Sequence, residues 1–323
     1  MGVNNAGVNL FAGAPLLVYP AATGRVFYVG SVAVPGGVAG TDNAGAAGDT
    51  PKYPFATLAY ASSQCTAGRG DVVYVLPGHT ESIISATAFT ASVSGVKFIG
   101  LGEGSLRPTI TFTTANTARI NITANDVSFE NMIFVGNFLS IATCFRISGA
   151  SNCKISGNVF RDTSAILNFL SIVTTIVSTT TDGLTITGNT VYQDGTTSGG
   201  PVVVIANTIS NLTITDNYAF MSVAQNNVAR LLAHAALVVT HGIVARNKIL
   251  TANSDTATGG ALITTSATTG SGIMHDNYVA SEDTTAAIMV TATAVQWKSF
   301  ANLHIGDATQ LSGFLLPAIG SDA

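Results

Sequence analysis

A parallel β-helix is the fold class this sequence predicts, and three observations predict it. The first is a repeat. Ile155-Ser156-Gly157-Asn158-Val159-Phe160, Leu184-Thr185-Ile186-Thr187-Gly188-Asn189-Thr190-Val191, Ile214-Thr215-Asp216-Asn217-Tyr218-Ala219, Val244-Ala245-Arg246-Asn247-Lys248-Ile249 and Met274-His275-Asp276-Asn277-Tyr278-Val279 share one pattern. An apolar residue lies three before each Asn and an apolar or small one two after it, and the Asn spacings are 31, 28, 30 and 30. Such a period means stacked supersecondary units. The second observation is alternation. Leu184 and Ile186 point one way and Thr185 and Thr187 the other, the period of a strand with one buried face. The third is composition. Leucine-rich, ankyrin and tetratricopeptide repeats need a Leu/Asn consensus or helical stripes, which are missing here. Gly, Thr, Ser and β-branched residues dominate instead. Some eight or nine coils of three short strands would make a rod roughly 40 Å long at one strand spacing per coil.

Taken in order, residues 1 to about 24 are rich in Gly, Ala and Asn, with apolar spots at Leu10, Phe11, Leu16, Leu17 and Val18. They read either as an arm that docks on a neighbouring protein or as a strand covering the chain's own core. Arg25-Val26-Phe27-Tyr28-Val29 reads as a strand and 35–50 as a Gly/Ala-rich loop, so residues 1–50 form an arm with a first strand. The β-helix domain is expected over 51–302. It begins with a helix near 54–65, in which Phe55, Leu58 and Ala59 share a face and Pro54 suits the first turn. That helix is expected to cap the open N-terminal end. Asp71-Val72-Val73-Tyr74-Val75-Leu76 follows as the first core strand, then Gly95-Val96-Lys97-Phe98-Ile99-Gly100 and Thr109-Ile110-Thr111-Phe112. In Val127-Ser128-Phe129-Glu130-Asn131-Met132 the register is shifted, so that Met132 aligns with Asn158. Val202-Val203-Val204-Ile205 and Ala287-Ile288-Met289-Val290 supply third strands. Val295 to Asn302, with the single Trp297, reads as a decayed last coil. Residues 303–323 read as a C-terminal tail with an apolar patch at Phe314-Leu315-Leu316.

Within the repeat, Asn is expected at the bend between two strands, because it tolerates the left-handed backbone region. Stacked Asn side chains are expected to bond one another and the turn backbone rather than a ligand. The residues just before them, Gly157, Gly188, Asp216, Arg246 and Asp276, would stack likewise. Arg246 between Asp216 and Asp276 then reads as a surface ion-pair ladder.

Charge and hydropathy narrow the function classes. Charged residues are 9% of the chain and mean hydropathy is +0.43, which points to a surface partly covered by partners, in an oligomer or a larger assembly. A net charge of −4 without a basic patch argues against nucleic acid. The absence of any apolar run of membrane-spanning length argues against a membrane protein. The first basic residue is Arg25, and Pro15 and Pro20 break the early apolar run, so no secretory signal is read. Cys65, Cys144 and Cys153 are odd in number, lack metal spacing and read as buried hydrophobes.

By residues 54–81 a family pattern emerges. Pro54-Phe55-Ala56-Thr57-Leu58, Gly70-Asp71-Val72-Val73-Tyr74-Val75 and Pro77-Gly78-His79-Thr80-Glu81 resemble the opening of pectate-lyase-like right-handed β-helix proteins. More narrowly, Cys65-Thr66-Ala67-Gly68-Arg69-Gly70-Asp71, Val75-Leu76-Pro77-Gly78-His79-Thr80-Glu81, Ile99-Gly100-Leu101-Gly102 and Ser105-Leu106-Arg107-Pro108-Thr109-Ile110 resemble a family of tailed-bacteriophage virion proteins. That likeness is specific over roughly 65–112 and only fold-level elsewhere. It implies a right-handed β-helix on the capsid surface, assembled in the host cytoplasm: a capsid decoration or head-fibre protein. Its expected partners are the major capsid protein and two further copies of itself in a homotrimer. The resemblance carries over no catalytic, cofactor or metal residue.

The competing class is a tailspike or polysaccharide lyase or hydrolase on the same fold, which needs converging carboxylates. Only 17 acidic residues are present, and Asp42, Asp49, Asp182, Asp194 and Asp255 fall in expected loops. Glu282-Asp283 is the best adjacent pair, but neighbours on a strand face opposite ways. The Asp216, Arg246 and Asp276 trio is the best alternative for chemistry. His79, His234, His241, His275 and His304 lack zinc spacing, and His79 reads as a turn residue. Gly100-Leu101-Gly102-Glu103-Gly104 has the wrong spacing for a phosphate loop and leads into a strand. With 7% aromatic residues, the surface is expected to contact glycans weakly or not at all. The sequence thus predicts a non-enzymatic structural protein without cofactor or metal. Fold by itself does not separate the two classes.

Overall fold

The computed structural model describes residues 24–43, 48–176, 181–194, 200–221, 230–234, 239–251, 261–265, 270–281, 288–290 and 296–305, with the backbone of two short strands, Leu10–Phe11 and Ala14–Pro15. These two pair antiparallel. The other strands build parallel ladders, so the chain is an all-β parallel solenoid. The first ladder has ten strands, from Val26–Val29 to Gln296–Phe300. The second has nine, from Thr80–Ile83 to Leu303–Ile305, and the third has eight, from Phe89–Ala91 to Ile288–Val290. A minor ladder joins Thr181–Asp182, Ile209–Ser210 and Val239–Thr240.

The repeat explains the registration. Ile155 pairs with Ile186, Ile186 with Ile214, Ile214 with Val244 and Val244 with Met274, and all five are buried. Phe160, Val191, Ala219, Ile249 and Val279 form the matching inward column of the second ladder. A one-residue slip would turn either column to solvent, so burial fixes the register. Toward the N-terminus the interior is filled by aromatic rings. Phe98 stacks on Phe129 at 4.7 Å and Phe134 on Phe160 at 5.2 Å, while Phe145 bridges the two pairs at 5.0 Å from both Phe129 and Phe134. Further on, Ile, Val, Ala and Met fill the same space.

Four expectations need correction. First, the left-handed residue at the bend is the one before the Asn. Gly157, Gly188, Asp216, Arg246 and Asp276 have φ between 54° and 64°. The Asn side chain turns inward instead, where it bonds backbone that water cannot reach. Second, the helix is shorter than 54–65 and spans Leu58–Gln64. Pro54 and Phe55 stay extended because Phe55 bridges Val29, its N–H donating to Tyr28 O at 2.8 Å. Thr57 caps the helix by accepting from Tyr60 N, and Asp42 holds the Thr57 hydroxyl at 2.6 Å. The helix buries Leu58 and Ala61 in the core, with Ala59 packed at its margin. Third, Val72–Val75 is the second rung, because Val26–Val29 already pairs with it in parallel. Fourth, the solenoid does not stop at 302. Leu303–Ile305 pairs with Tyr278–Ser281, since the Asn302 carboxamide accepts the Asn277 N–H at 3.0 Å and carries the bend one rung further. Met132 does align with Asn158, whose Oδ1 accepts from Met132 N at 2.9 Å. The arm before residue 24, apart from the two short strands, and the tail from 306, with Phe314-Leu315-Leu316, lie outside the described residues.

Candidate functional site

The corner between the first and second ladders carries a stack of polar side chains on both its faces. Its inner side is a continuous carboxamide ladder of Asn158, Asn189, Asn217, Asn247, Asn277 and Asn302, all buried. Each Oδ1 accepts the backbone N–H of the residue one rung back, and from Asn189 on also that Asn's side-chain Nδ2, at 2.9 to 3.3 Å. Each Nδ2 also donates to a first-ladder carbonyl, as Asn217 does to Ile186 O at 3.0 Å. These atoms are consumed in the fold, which leaves none for a ligand. Asn302 belongs to this ladder although its spacing of 25 from Asn277 hides it in the sequence.

On the outer side, the expected three-member ion-pair ladder is half formed. Arg246 binds Asp216 in a bidentate pair, with both contacts at 2.7 Å. The guanidinium holds the Asp216 carboxyl below its ordinary value. Asp276 instead bonds His275 Nδ1 at 2.7 Å, and that imidazole stacks on Phe300 with centroids 5.0 Å apart. The His275 ring holds Asp276 to its own rung, and the trio does not converge as a catalytic group.

Two acids near the N-terminal end are structural. Asp71, on the first ladder's edge, is fully buried and accepts from Arg25 N at 2.7 Å, Thr66 N at 2.8 Å and the Arg69 guanidinium at 2.6 Å twice. Burial pushes its carboxyl up, but the Arg69 guanidinium and the two N–H groups outweigh it and hold it low. His79, expected as a simple turn residue, is fully buried. Its Nδ1 accepts from Ser31 N at 3.0 Å and its Nε2 meets Glu81 Oε2 at 3.3 Å, while that oxygen also takes the helix's first N–H, from Leu58. The Pro77-Gly78 turn points this imidazole inward because Ser31, on the preceding rung, offers it a donor.

The remaining sequence candidates separate. Asp42 braces the helix cap and Asp182 Oδ1 accepts from Ser210 N. Asp255, Glu282 and Asp283 lie outside the described residues, as do the side chains of His234 and His304. The thiols are shielded: burial pushes Cys65 up to about 12 and Cys153 to about 11, and Cys144 well above the ordinary value. Such thiols remain protonated and unreactive. Among the described residues, no group of three or more His, Cys, Asp or Glu could hold a metal ion. No helix there is long and apolar enough to cross a membrane.

Two sites were not legible in the sequence. Asp162 ends a second-ladder strand, and its oxygens accept from Phe169 N at 2.9 Å and Asp194 N at 3.0 Å. Burial first, and the Asp194 charge in addition, raise its carboxyl to about 7. Behind it, Asn168 and Gln193 are buried, and both carboxamide atoms of Asn168 and Oε1 of Gln193 have no partner. The second site is a depression of about 610 Å³ under the loop after Gly100, bordered by Gly102, Glu103, Gly104, Arg107 and Asn131. The loop passes through a 3-10 turn at Gly104–Leu106 into strand Thr109–Phe112, so the glycine run is not a phosphate loop.

No family model matches the chain, and no curated protein matches it either. Among solved structures it is similar to a rhamnogalacturonan lyase, at 14% identity over 86% of this chain and 87% of that one, with a TM-score of 0.45. It is also similar to the GH136 lacto-N-biosidase of Eubacterium ramulus, at 8% identity over 88% and 68% of the two chains, TM-score 0.40. A third is the C387A mutant of the DFA-IIIase of Arthrobacter chlorophenolicus A6 in complex with DFA-III, at 17% identity over 75% and 77%, TM-score 0.30. At these values the likeness concerns the path of the backbone and says nothing of activity.

Proposed function

We propose that this protein is a structural component of a tailed-phage particle, a homotrimeric right-handed β-helix seated on the major capsid protein as a decoration or head-fibre protein. The observation that carries this reading is the outward face of the second ladder. Tyr192, Phe220 and Leu250 stand in one register column, and Tyr218, Lys248, Tyr278 and Leu303 in the column beside it. The Tyr192 and Tyr218 rings lie 6.2 Å apart, and Tyr192 is 46% exposed. The first ladder adds Ile243 and Ile273, paired in register and exposed. Outward columns of this kind, on a sheet whose inner face already fills a core, suit lateral packing of parallel copies. The short helix at Leu58–Gln64 closes the N-terminal end in this reading, which keeps the rod from stacking end to end.

Sedimentation of the full chain tests the assembly. A trimer that becomes a folded monomer in Tyr192→Glu/Phe220→Glu supports it, and a wild-type monomer at micromolar concentration rejects it. Presence of the chain at fixed stoichiometry with the major capsid protein in purified particles tests the location.

Polysaccharide cleavage is the second reading, and Asp162 beside Asp194 is the observation that favours it. A carboxyl raised to about 7 is the kind a general acid needs. Both Asp162 oxygens, however, already accept backbone N–H groups. Cleavage of a bacterial surface glycan that is lost in both Asp162→Asn and Asp194→Asn would establish this reading in place of the first.

A further inference from the structure

Cations are scarce in this chain, 13 Lys and Arg in 323 residues, and three of them sit against an acid. Arg69 binds Asp71, Arg246 binds Asp216 and Lys154 reaches Glu130. The outward face of the third ladder does the reverse and sets two cations against each other. Thr90, Asn121, Arg146 and Thr174 follow one another in register on the strands Phe89–Ala91, Ile120–Ile122, Phe145–Ile147 and Val173–Thr175. Their neighbours along each strand, such as Phe145 and Ile147, are buried, so alternation turns these four side chains outward.

The second arginine, Arg119, comes from the residue just before Ile120–Ile122. Its Nε donates to Asn121 Oδ1 at 3.0 Å and its Nη1 to Thr117 O at 3.4 Å. Asn121 is fixed in turn, its Nδ2 donating to Ala86 O at 2.6 Å. The Arg119 guanidinium is thereby tied to Asn121, one rung from Arg146, or about 4.8 Å along the stack. Both arginines are half-buried. Burial first, and the Arg146 charge in addition, lower the Arg119 guanidinium from its ordinary value. Among the described residues, no carboxylate pairs with either arginine, and Arg146 makes no hydrogen bond.

Like charges held one rung apart repel, and an anion between them turns that repulsion into two attractions. Guanidinium forks match carboxylate and phosphate oxygens. The arrangement favours the second. A planar carboxylate has two oxygens and is satisfied by one fork. A tetrahedral dianion offers oxygens to two forks on separate rungs and carries the charge to offset both. Thr90 adds an exposed hydroxyl on the Arg119 side, while the Thr174 hydroxyl already meets Ser171 Oγ at 2.8 Å. Two cations hold one anionic group and do not make a track for a polyanion. We propose that Arg119 and Arg146, on the outward face of the third ladder, form a binding site for a single tetrahedral dianion of the phosphate type, free or as a monoester. An open site of two half-buried cations binds weakly, with Kd on the order of 1 mM. The proposal rests on neither the trimer nor the capsid location.

NMR of the arginine Nε–H groups in the full chain tests it, with inorganic phosphate as the probe at neutral pH and sodium chloride holding the ionic strength constant. The Arg119 and Arg146 signals are expected to shift together and saturate with one midpoint on the order of 1 mM. Arg146→Gln, an outward change between Asn121 and Thr174, should raise the midpoint read at Arg119 about tenfold or more. Arg146→Lys keeps the charge without the fork and should raise it less. The wild-type titration decides the matter by itself if a variant does not fold. Methyl phosphate separates the two sources: a midpoint no higher than that of inorganic phosphate supports a monoester as the ligand, and a higher one supports the free ion. The proposal is overturned by the absence of a saturable shift, or by the same shift with sodium chloride alone. Acetate saturating at the same midpoint, which would mark a carboxylate site, also overturns it, as does an unchanged midpoint in Arg146→Gln.

Discussion

Asn247 Oδ1 receives two bonds from Asn217, one from its backbone N–H at 3.1 Å and one from its side-chain Nδ2 at 3.0 Å. Each rung of the corner thereby reads the identity of its neighbour. Replacing Asn217 by Ala leaves Ile186 O without this donor, Asn247 Oδ1 with the backbone donor alone, and Asn189 without its acceptor, in a buried setting. Unpaired buried polar groups cost about 1–3 kcal/mol each. Asn217→Ala is expected to lose about 3 kcal/mol of stability in urea unfolding. A loss near zero would mean that the carboxamide ladder is incidental.

Trp297 covers two glycines. Gly242, Gly272 and Trp297 follow one another in register, and a Cβ added at Gly242 would collide with the Trp297 ring. Overpacking of this kind costs about 1–3 kcal/mol. Gly242→Ala is expected to lower the unfolding midpoint, and Trp297→Ala to recover most of that loss in a double-mutant cycle. Additive losses would show that the indole does not rest on this position. Read as part of a decayed coil, Trp297 carried no role in the sequence. Its place became visible only once the pairing of three successive strands brought together Gly242 and Trp297, 55 residues apart.

Asp71 ties the first two rungs to the segment after the helix. Its carboxyl is held below the ordinary value chiefly by Arg69 against the opposing effect of burial. A depressed folded pKa contributes stability above the unfolded value of about 3.9 and loses it as pH falls through the folded one. Asp71→Asn should therefore unfold at a lower temperature than the wild type at neutral pH. The gap should narrow as pH is taken below about 4. A gap independent of pH would assign the effect to packing alone.

Asp162 has the opposite sign. Its carboxyl is raised to about 7, with burial as the leading cause. A raised folded pKa contributes stability below the unfolded value of about 3.9, and that contribution is lost as pH rises through about 7. The wild-type melting temperature should fall across that interval, and Asp162→Asn should flatten the fall. Carbon-detected NMR of the carboxyl should show a midpoint near 7. A midpoint at the ordinary carboxylate value would remove the premise.

The sequence by itself determined the solenoid. Period-two alternation and a repeat of about 30 residues state which side chains point inward, and that pattern is local, so it survives translation along the chain. It also stacked the Asn side chains on one another and on the turn backbone, and aligned Met132 with Asn158. The tertiary structure alone decided which bend residue turns left-handed, because the Asn is drawn inward by backbone donors one rung back. It alone paired Arg246 with Asp216 rather than with both acids. It alone set Arg107 against Gly157, 50 residues away, and brought Asp162 up to the backbone of Phe169 and Asp194. Those contacts depend on how far each loop travels before rejoining the stack, and a loop's path is fixed by the rungs beneath it, which no local pattern encodes.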